Sequence, residues 1–214
     1  IQEKPFSVVL FDEIEKAHPR ILDKFLQVLD DGVLTSGRGE RVYFSEAFLI
    51  FTSNLGIYRM GADGERVANT SPDDSFDAVQ QKVSGEIDRF FKLELGRPEI
   101  LNRIGENVIV FDFIRPDVGE EIFSMMVAAI LARVERATGR SVTLSDSARQ
   151  QLQAICLADL SDGGRGIRNQ LEAHLVNPLA RALFDQPATG PACVSAVQIS
   201  GGLTTLEFQA GEGI

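Results

Sequence analysis

The first half of the chain alternates short apolar runs with a segment in which apolar residues recur at helical spacing. Ser7–Phe11 and Phe48–Thr52 are runs of strand length that lead into polar side chains, a pattern typical of buried strands. Between them, helical spacing begins at Pro19, which suits a first turn, and stops at Gly32, which suits a helix end. Residues 1–113 are therefore predicted to be α/β.

Other patterns complete this half. From Ile57 to Pro72 the chain is polar and rich in Gly, Asp and Asn, which predicts a mobile loop. Four further elements are predicted: a hairpin over residues 33–44 with Gly37 and Gly39 at its tip, a helix over residues 76–95, a short helix near Pro98, and a strand over residues 107–113.

The second half has a different character, with long helical patterns first and alternating strands last. Pro116–Thr138 and Ser145–Leu157 are predicted helices, and a Gly-rich turn then leads into a long helix that Pro178 should kink or divide. Two alternating runs joined at Gly201–Gly202 predict a terminal hairpin. Residues 114–214 are thus predicted to be helices followed by a hairpin.

Composition narrows the class of protein. With 44% hydrophobic and 24% charged residues, the chain has enough apolar material for a globular core. The net charge of −10 disfavours a nucleic acid partner, which requires a basic face. The two cysteines match no metal or redox spacing, and no signal peptide or membrane-length apolar run is present. We therefore expect a cytoplasmic protein with neither a membrane nor a nucleic acid partner.

Polar groups at the ends of the two predicted strands are the candidate chemistry. Asp12 and Glu13 follow the first strand and Asn54 follows the second, and ligands of parallel sheets bind at the carboxyl ends of strands. An Asp suits a magnesium ion held through water, and a Glu suits activation of an attacking water. Phosphoryl transfer also needs cations, for which Arg103 and Arg165 are candidates.

Each of these residues also has an ordinary structural interpretation. Acids at strand ends are often solvated loop starts or helix caps, an Asn is often a turn residue, and arginines usually form surface ion pairs of little energetic consequence. His18 and His174 have no metal partners at useful spacing and are interpreted as structural. Taken singly, none of these signals is specific.

The combination is specific. The segments VVLFDEIEKAHPRILDKFLQVLDDGVLTSGRGERVYF, FLIFTSNLG, RPEILNRI and GGRGIRNQLEAHLVNPLA occur in this order. Together they closely resemble the Clp-type AAA+ ATPases, and within them the second ATPase ring of the ClpB/ClpC/ClpA class. The resemblance runs from about Phe6 to Phe208 and is weakest over residues 57–75 and in the last strands.

The resemblance implies a role for each candidate. Asp12, at the end of the Walker B strand, would help to bind Mg²⁺, and Glu13 would be the base that activates water. Asn54 would be the sensor 1 residue, close to the γ-phosphate. Arg103 would be an arginine finger acting in trans on the nucleotide of a neighbouring subunit. Arg165 would be the sensor 2 arginine, although the family usually has Gly-Ala-Arg where this chain has Gly-Gly-Arg, which loosens the turn.

The resemblance also implies an architecture. Residues 1–113 would be a truncated AAA+ P-loop large subdomain, with a parallel sheet and flanking helices. Residues 114–214 would be the mainly helical small subdomain with its terminal β-hairpin. The hairpin GVLTSGRGERV resembles the second pore loop of the family, in which Arg38 and Arg41 would face a translocating polypeptide.

One motif of P-loop ATPases is missing from this sequence, since no lysine follows a glycine and Gly-Lys-Ser/Thr does not occur. We therefore expect the chain to be the carboxyl-terminal part of a longer hexameric protein that uses ATP and Mg²⁺. On its own, the chain is expected neither to bind ATP tightly nor to hydrolyse it. The parent would unfold or disaggregate polypeptides; whether a peptidase assists it is left open.

Two other functions are retained as alternatives. The first is a non-enzymatic module for ring assembly, although a lineage without catalysis has no physical reason to keep all five candidate residues. The second is an AAA+ protein that acts on nucleic acid, such as a clamp loader or helicase loader, which the acidic charge disfavours.

Overall fold

A computed structural model describes residues 1–61, 63–185 and 190–209. The chain divides into two compact units, residues 1–112 and residues 113–214. Of the helices in the described ranges, none combines the length and apolar character that crossing a membrane requires.

The first unit contains six strands and three α-helices among its described residues. The strands are β1 (Val8–Phe11), β2 (Val33–Thr35), β3 (Arg41–Tyr43), β4 (Phe48–Phe51), β5 (Tyr58–Met60) and β6 (Arg66–Ala68). The helices are α1 (Pro19–Asp31), α2 (Phe76–Arg89) and α3 (Pro98–Ile104). A 3₁₀ turn over Ile14–Lys16 follows β1, and a π-helical turn over Phe90–Glu94 continues α2.

The predicted helix at Pro19 is confirmed, with both of its end signals. The ring of His18 caps the helix by accepting a hydrogen bond from the Arg20 backbone N–H at 3.2 Å, so this histidine has a structural use. Gly32 closes the helix in the left-handed conformation, at φ 63°, which glycine adopts without steric cost.

Strands β1 and β4 form a parallel pair in which Phe11 is the register partner of Phe51. The rings of these two residues stack at 5.1 Å, and the Phe25 ring of α1 meets both edge-on at 4.7 and 5.2 Å. This aromatic contact fixes α1 on one face of the pair. Because both strands run the same way and end in register, the residues that follow them emerge at one edge.

The other face of this pair is exposed, so the prediction of fully buried strands is wrong for one side. Burial alternates along both strands, and the exposed side chains are those of Val8, Leu10, Phe48 and Ile50. A continuous apolar run predicts a strand but does not fix how many of its faces are covered.

Two further predictions in this unit are wrong. The segment from Ile57 to Pro72 is not a loop throughout, because β5 and β6 pair in it as an antiparallel hairpin. Residues 107–113 do not form a strand: no described strand pairs with them, and the side chains of Ile109 and Phe111 are 79% and 87% exposed. A strand needs a partner for its backbone groups, which an apolar pattern alone does not provide.

The second unit contains four α-helices and three strands among its described residues. The helices are α4 (Pro116–Thr138), α5 (Asp146–Cys156), α6 (Gly163–Leu171) and α7 (Asn177–Asp185), and the strands are β7 (Val142–Leu144), β8 (Ala192–Ser200) and β9 (Leu203–Phe208). Strand β8 is central, parallel to β7 and antiparallel to β9. The terminal hairpin is thus confirmed, whereas β7 was not predicted.

A single buried cluster holds the second unit together, centred on Phe123, Leu152, Ile167 and Leu175, all with side chains at 0% exposure. The predicted division at Pro178 is confirmed, because a π-helical turn over Glu172–Val176 separates α6 from α7. A proline ring clashes with the carbonyl four residues earlier in a regular helix, and a widened turn relieves that clash.

Candidate functional site

The parallel register of β1 and β4 brings two polar segments to the same edge of the sheet. Asp12 and Glu13 leave the end of β1, and the segment Thr52–Asn54 leaves the end of β4. Side chains 40 residues apart in sequence touch here, since the Thr52 hydroxyl donates a hydrogen bond to Asp12 Oδ1. The structure therefore brings together three of the five candidate residues.

Backbone bonds continue the strand pairing past the last strand residues. The Thr52 N–H donates to the Phe11 carbonyl at 2.9 Å, and the Ile14 N–H donates to the Thr52 carbonyl at 3.0 Å. The Glu13 N–H donates instead to the Thr52 hydroxyl oxygen, at 3.1 Å. Thr52 thus bonds to each of the four residues from Phe11 to Ile14.

Glu13 has an unusual backbone conformation. Its φ of 55° and ψ of 53° are left-handed, and it is the only non-glycine residue with positive φ in the part of the chain that the structure describes. For a side chain of this size the conformation costs about 1–2 kcal/mol. Backbone strain of this kind concentrates at functional sites, which supports the choice of Glu13.

The Glu13 carboxylate forms an ion pair with the Lys16 ammonium at 2.7 Å, within the 3₁₀ turn. The hydrogen bond to Glu13 is the main reason that the pKa of Lys16 is raised above its ordinary value. Both side chains are well exposed, so water screens the pair and it opens readily. The carboxylate can therefore leave this partner for a ligand.

Glu15 ties the segment after β4 to the turn after β1. One of its carboxylate oxygens accepts from the Ser53 hydroxyl at 2.7 Å, and the other accepts from the Asn54 backbone N–H at 3.2 Å. The Asn54 side chain itself is exposed. Glu15 thus fixes the backbone of Asn54 and leaves its amide side chain accessible.

Arg103 lies in the last turn of α3, away from the strand-end cluster in sequence. Its Nε forms an ion pair with Asp30 Oδ1 in the last turn of α1, and its side chain is 58% exposed. A second pair connects α1 to Arg97, the residue just before α3, with 2.8 Å between Arg97 Nε and Asp23 Oδ1. Asp30 therefore holds the guanidinium of Arg103 at the surface of the first unit.

Arg165 belongs to the second unit, in the first turn of α6, and it is exposed. Gly163, the first residue of α6, has φ +57°, a conformation that a residue with a side chain adopts only under strain. The predicted part of Arg165 in a nucleotide site stays a prediction, as do the chemical roles of the other four candidates.

The acidic groups at the strand ends do not form a protein-only metal cage. No cluster of three or more histidine, cysteine or acidic residues suited to a metal ion occurs within the described residues. Mg²⁺ commonly takes one or two carboxylates and completes its shell with water and substrate phosphates. The exposed Asp12 carboxylate, with one oxygen held by Thr52, suits that mode of binding.

A shallow cleft of about 170 Å³ lies beside Asn54 in the first unit. Glu15 and Asn54 line one part of it, and the hairpin of β5 and β6 contributes Arg59 and Arg66. The wall from the end of α2 carries Arg89, which pairs with Glu86 at 2.8 Å and with Glu94 at 2.6 Å. The charges of this wall are therefore largely satisfied by one another.

Thr52, Glu15 and Asp30 hold the candidate residues, and the sequence analysis did not single them out. Thr52 and Glu15 lie within two residues of a candidate, so the polar residues flanking FDE and Asn54 were the available signal. For Asp30 no such signal existed, because its contact with Arg103 depends on the packing of two helices.

The two histidines have structural partners. His18 caps α1, and the Nδ1 atom of His174 lies 2.6 Å from the Thr204 hydroxyl. Cys156 is buried, and its burial raises the thiol pKa to about 12, which leaves the thiol protonated and unreactive at neutral pH.

Comparison with known protein families identifies the family of the chain. A family model described as AAA domain (Cdc48 subfamily) matches residues 1–107, half of the chain. The chain therefore belongs to this AAA family, and its relatives show that it is of the Clp type. Membership of the family indicates nucleotide binding in general.

Two relatives illustrate the similarity. Chaperone protein ClpB of Mesorhizobium japonicum is 34% identical over 212 residues, covering 98% of this chain and 22% of that protein. Negative regulator of genetic competence ClpC/MecB of Bacillus subtilis is 35% identical over 185 residues, covering 86% of this chain and 22% of that protein. The chain thus spans about a fifth of the length of these curated relatives.

A solved structure shows the same fold. A closed-state cryo-EM reconstruction of Hsp104 with ATPγS and FITC-casein matches 97% of this chain and 33% of the Hsp104 chain, with a TM-score of 0.71 and 29% sequence identity. The predicted fold class, an AAA+ large subdomain of α/β type followed by a mainly helical small subdomain, is confirmed.

Proposed function

We propose that the chain is part of an ATP-driven protein unfoldase or disaggregase, in which hydrolysis is coupled to the remodelling of polypeptide. The observation that carries the proposal is the convergence of Asp12, Glu13 and Asn54 at one edge of the β1–β4 pair, held by cross-strand hydrogen bonds. Ligands of parallel sheets bind at this edge.

Each of these three groups has a defined task in the proposed reaction. Asp12 would hold Mg²⁺ through water, and the ion would offset the negative charge of the phosphates. The Glu13 carboxylate would orient the attacking water and accept its proton. The exposed amide of Asn54, fixed by its backbone, would orient the same water against the terminal phosphate.

The two arginines would supply positive charge. We assign Arg103 to the nucleotide of a neighbouring subunit, where an arginine in trans makes hydrolysis depend on assembly of a ring. Arginines of this kind are worth about 10³–10⁵ in turnover in related reactions. We assign Arg165 to the phosphates of its own subunit, where it would link the nucleotide state to the second unit.

The polypeptide substrate is proposed from the hairpin of β2 and β3 and from the relatives. Arg38 and Arg41 are exposed at this hairpin. The Ser36 hydroxyl shapes its tip by accepting from the backbone N–H groups of Arg38 and Glu40, both at 3.2 Å. The Hsp104 structure that includes casein supports a polypeptide as the substrate class. We propose that this polypeptide is unfolded or aggregated and that the working assembly is a hexameric ring.

The test of this proposal is ATP turnover by the full-length natural protein and by its Glu13→Gln variant. The variant keeps the size of the side chain and removes its basicity. We expect ATP to remain bound while turnover falls by about 10²–10⁴-fold, the usual contribution of a general base. Turnover is measured by phosphate release, and retained ATP by filtration of the assembled protein.

The matched control is Glu46→Gln, the same chemical change at an exposed residue outside the site. It should turn over ATP as the natural protein does. Normal turnover by Glu13→Gln would remove Glu13 from the role of base. Absence of turnover in the natural protein itself would favour a ring-assembly module over a motor.

A further inference from the structure

Thr52 makes an unusual set of contacts at the edge where the candidate residues meet. Its N–H, hydroxyl and carbonyl groups bond in turn to Phe11, Asp12, Glu13 and Ile14, four consecutive residues of the other segment. The proposed chemistry uses none of the atoms of Thr52 directly.

Among the residues that the structure describes, the side chain of Thr52 bonds only to the two candidate residues Asp12 and Glu13. The bonds to Phe11 and Ile14 are between backbone groups, so any residue except proline can make both of them at position 52. The bonds to Asp12 and Glu13 use the hydroxyl, which donates to the Asp12 carboxylate and accepts from the Glu13 N–H. A hydroxyl has one donor and two acceptor lone pairs, so it can do both at once.

The consequences for the two acids differ. The bond to Asp12 engages Oδ1 and sets the direction of Oδ2. The bond to Glu13 gives its N–H a partner in a left-handed conformation that an L-residue adopts only at a cost. The same hydroxyl therefore orients one acid through its side chain and the other through its backbone.

The geometry points to Thr52 as a positioning residue for the Asp12–Glu13 turn: its hydroxyl holds the Asp12 carboxylate and the Glu13 backbone in the arrangement that ATP hydrolysis requires. This inference rests on the proposed function for its catalytic part. Its geometric part stands on the hydrogen bonds alone and can be tested without nucleotide.

The first experiment uses the 214-residue chain without nucleotide and compares Thr52→Val with Thr52→Ser. Valine keeps the branched shape and removes the hydroxyl, whereas serine keeps the hydroxyl. Exchange of the Glu13 amide hydrogen with deuterium, followed by NMR, should become about tenfold faster in the valine variant, as expected for loss of one hydrogen bond. The serine variant should exchange as the natural chain does.

The second experiment uses the full-length natural protein and measures ATP turnover against Mg²⁺ concentration. Loss of a group that orients a metal-binding carboxylate usually costs about 10–100-fold in metal affinity or activity. We expect Thr52→Val to lower kcat and raise the half-saturating Mg²⁺ concentration within that range, with little change in the KM for ATP. Thr52→Ser should restore both.

Controls separate this role from packing. Thr205→Val makes the same change at an exposed threonine of β9 and should leave turnover unchanged. If Thr52→Val does not fold, Thr52→Ala removes the hydroxyl without adding a methyl group. Equal impairment of the valine and serine variants, or an unchanged Mg²⁺ dependence in the valine variant, overturns the inference.

The two proposals fail in distinguishable ways. If the natural protein does not hydrolyse ATP, the proposed function fails. The rate of hydrogen exchange at the Glu13 amide then still shows whether Thr52 holds the turn. If the natural protein hydrolyses ATP and Thr52→Val matches it in amide exchange and Mg²⁺ dependence, only the inference about Thr52 fails.

Discussion

Gly56 lies where the chain passes from the strand-end cluster to the hairpin of β5 and β6. Its φ is +86°, and a Cβ added there would come within 2.8 Å of Val83 Cα and 2.9 Å of the Val83 carbonyl in α2. Nearby, the Asn69 side chain donates to the Gly56 carbonyl at 2.8 Å and to the Lys82 carbonyl at 3.1 Å. The absence of a side chain at Gly56 is therefore what lets the hairpin base rest against α2.

We expect Gly56→Ala to lower the free energy of unfolding by roughly 2–4 kcal/mol, the sum of overpacking and of a left-handed alanine. Urea unfolding followed by tyrosine fluorescence measures this, because the only two tyrosines, Tyr43 and Tyr58, lie in the first unit. Gly39→Ala is the control, since Gly39 has φ +82° but no atom within 4 Å of an added Cβ. Equal losses in both variants would show that the close contact contributes nothing.

Helix α3 is joined to α1 by two ion pairs, one near its start and one in its last turn. Arg97 pairs with Asp23, and Arg103 pairs with Asp30. Both pairs are exposed, so each contributes less than about 1 kcal/mol to stability. Their effects on function should differ, because only the second pair orients the arginine proposed to act in trans.

We therefore expect Asp30→Asn to lower ATP turnover of the full-length protein by up to roughly 100-fold, as a displaced catalytic group can. Asp23→Asn makes the same change at the other end of the helix and should leave turnover near that of the natural protein. Phosphate release by the assembled protein distinguishes them. A similar loss in both variants would mean that the position of α3 as a whole matters, rather than the orientation of Arg103.

The sequence predicted best those elements whose signals are local. Helix α4 was predicted over Pro116–Thr138 and has those bounds, because a proline start and regular spacing are contained in the helix itself. Strand β7 was missed, because it has three residues and is defined by a parallel partner about 50 positions later. The same dependence on a distant partner explains the false strand at residues 107–113.

For the candidate site, the sequence predicted which residues meet but not which residues hold them in place. That Asp12, Glu13 and Asn54 converge followed from two strand-like runs and the rule that ligands bind at strand ends. The residues that hold them, such as Glu15, could not be predicted, because a hydrogen bond across 38 positions depends on register rather than on pattern.

The whole molecule consists of two compact units, and the second has the features of an independently folding domain. Its core includes 13 buried residues together with a three-stranded sheet. We propose that residues 113–214 fold when produced alone, with a cooperative thermal transition measured by circular dichroism. Broad, non-cooperative melting of this segment would contradict the proposal.

A core substitution makes this prediction quantitative. Leu175 is fully buried in the cluster of the second unit, and replacing a buried leucine by alanine usually costs about 2–5 kcal/mol. Leu175→Ala should lower the unfolding free energy of residues 113–214 by that amount. Leu203→Ala is the control, because Leu203 is 50% exposed and its loss should cost far less.

The left-handed conformation of Glu13 has a consequence for anyone who engineers this chain. Glycine adopts that conformation at almost no cost, and asparagine tolerates it better than glutamate does. A redesign that ranked substitutions only by their effect on the free energy of unfolding would therefore favour replacement of Glu13. It would remove the proposed base in the act of improving the scaffold, so position 13 must be held fixed in any stabilised version.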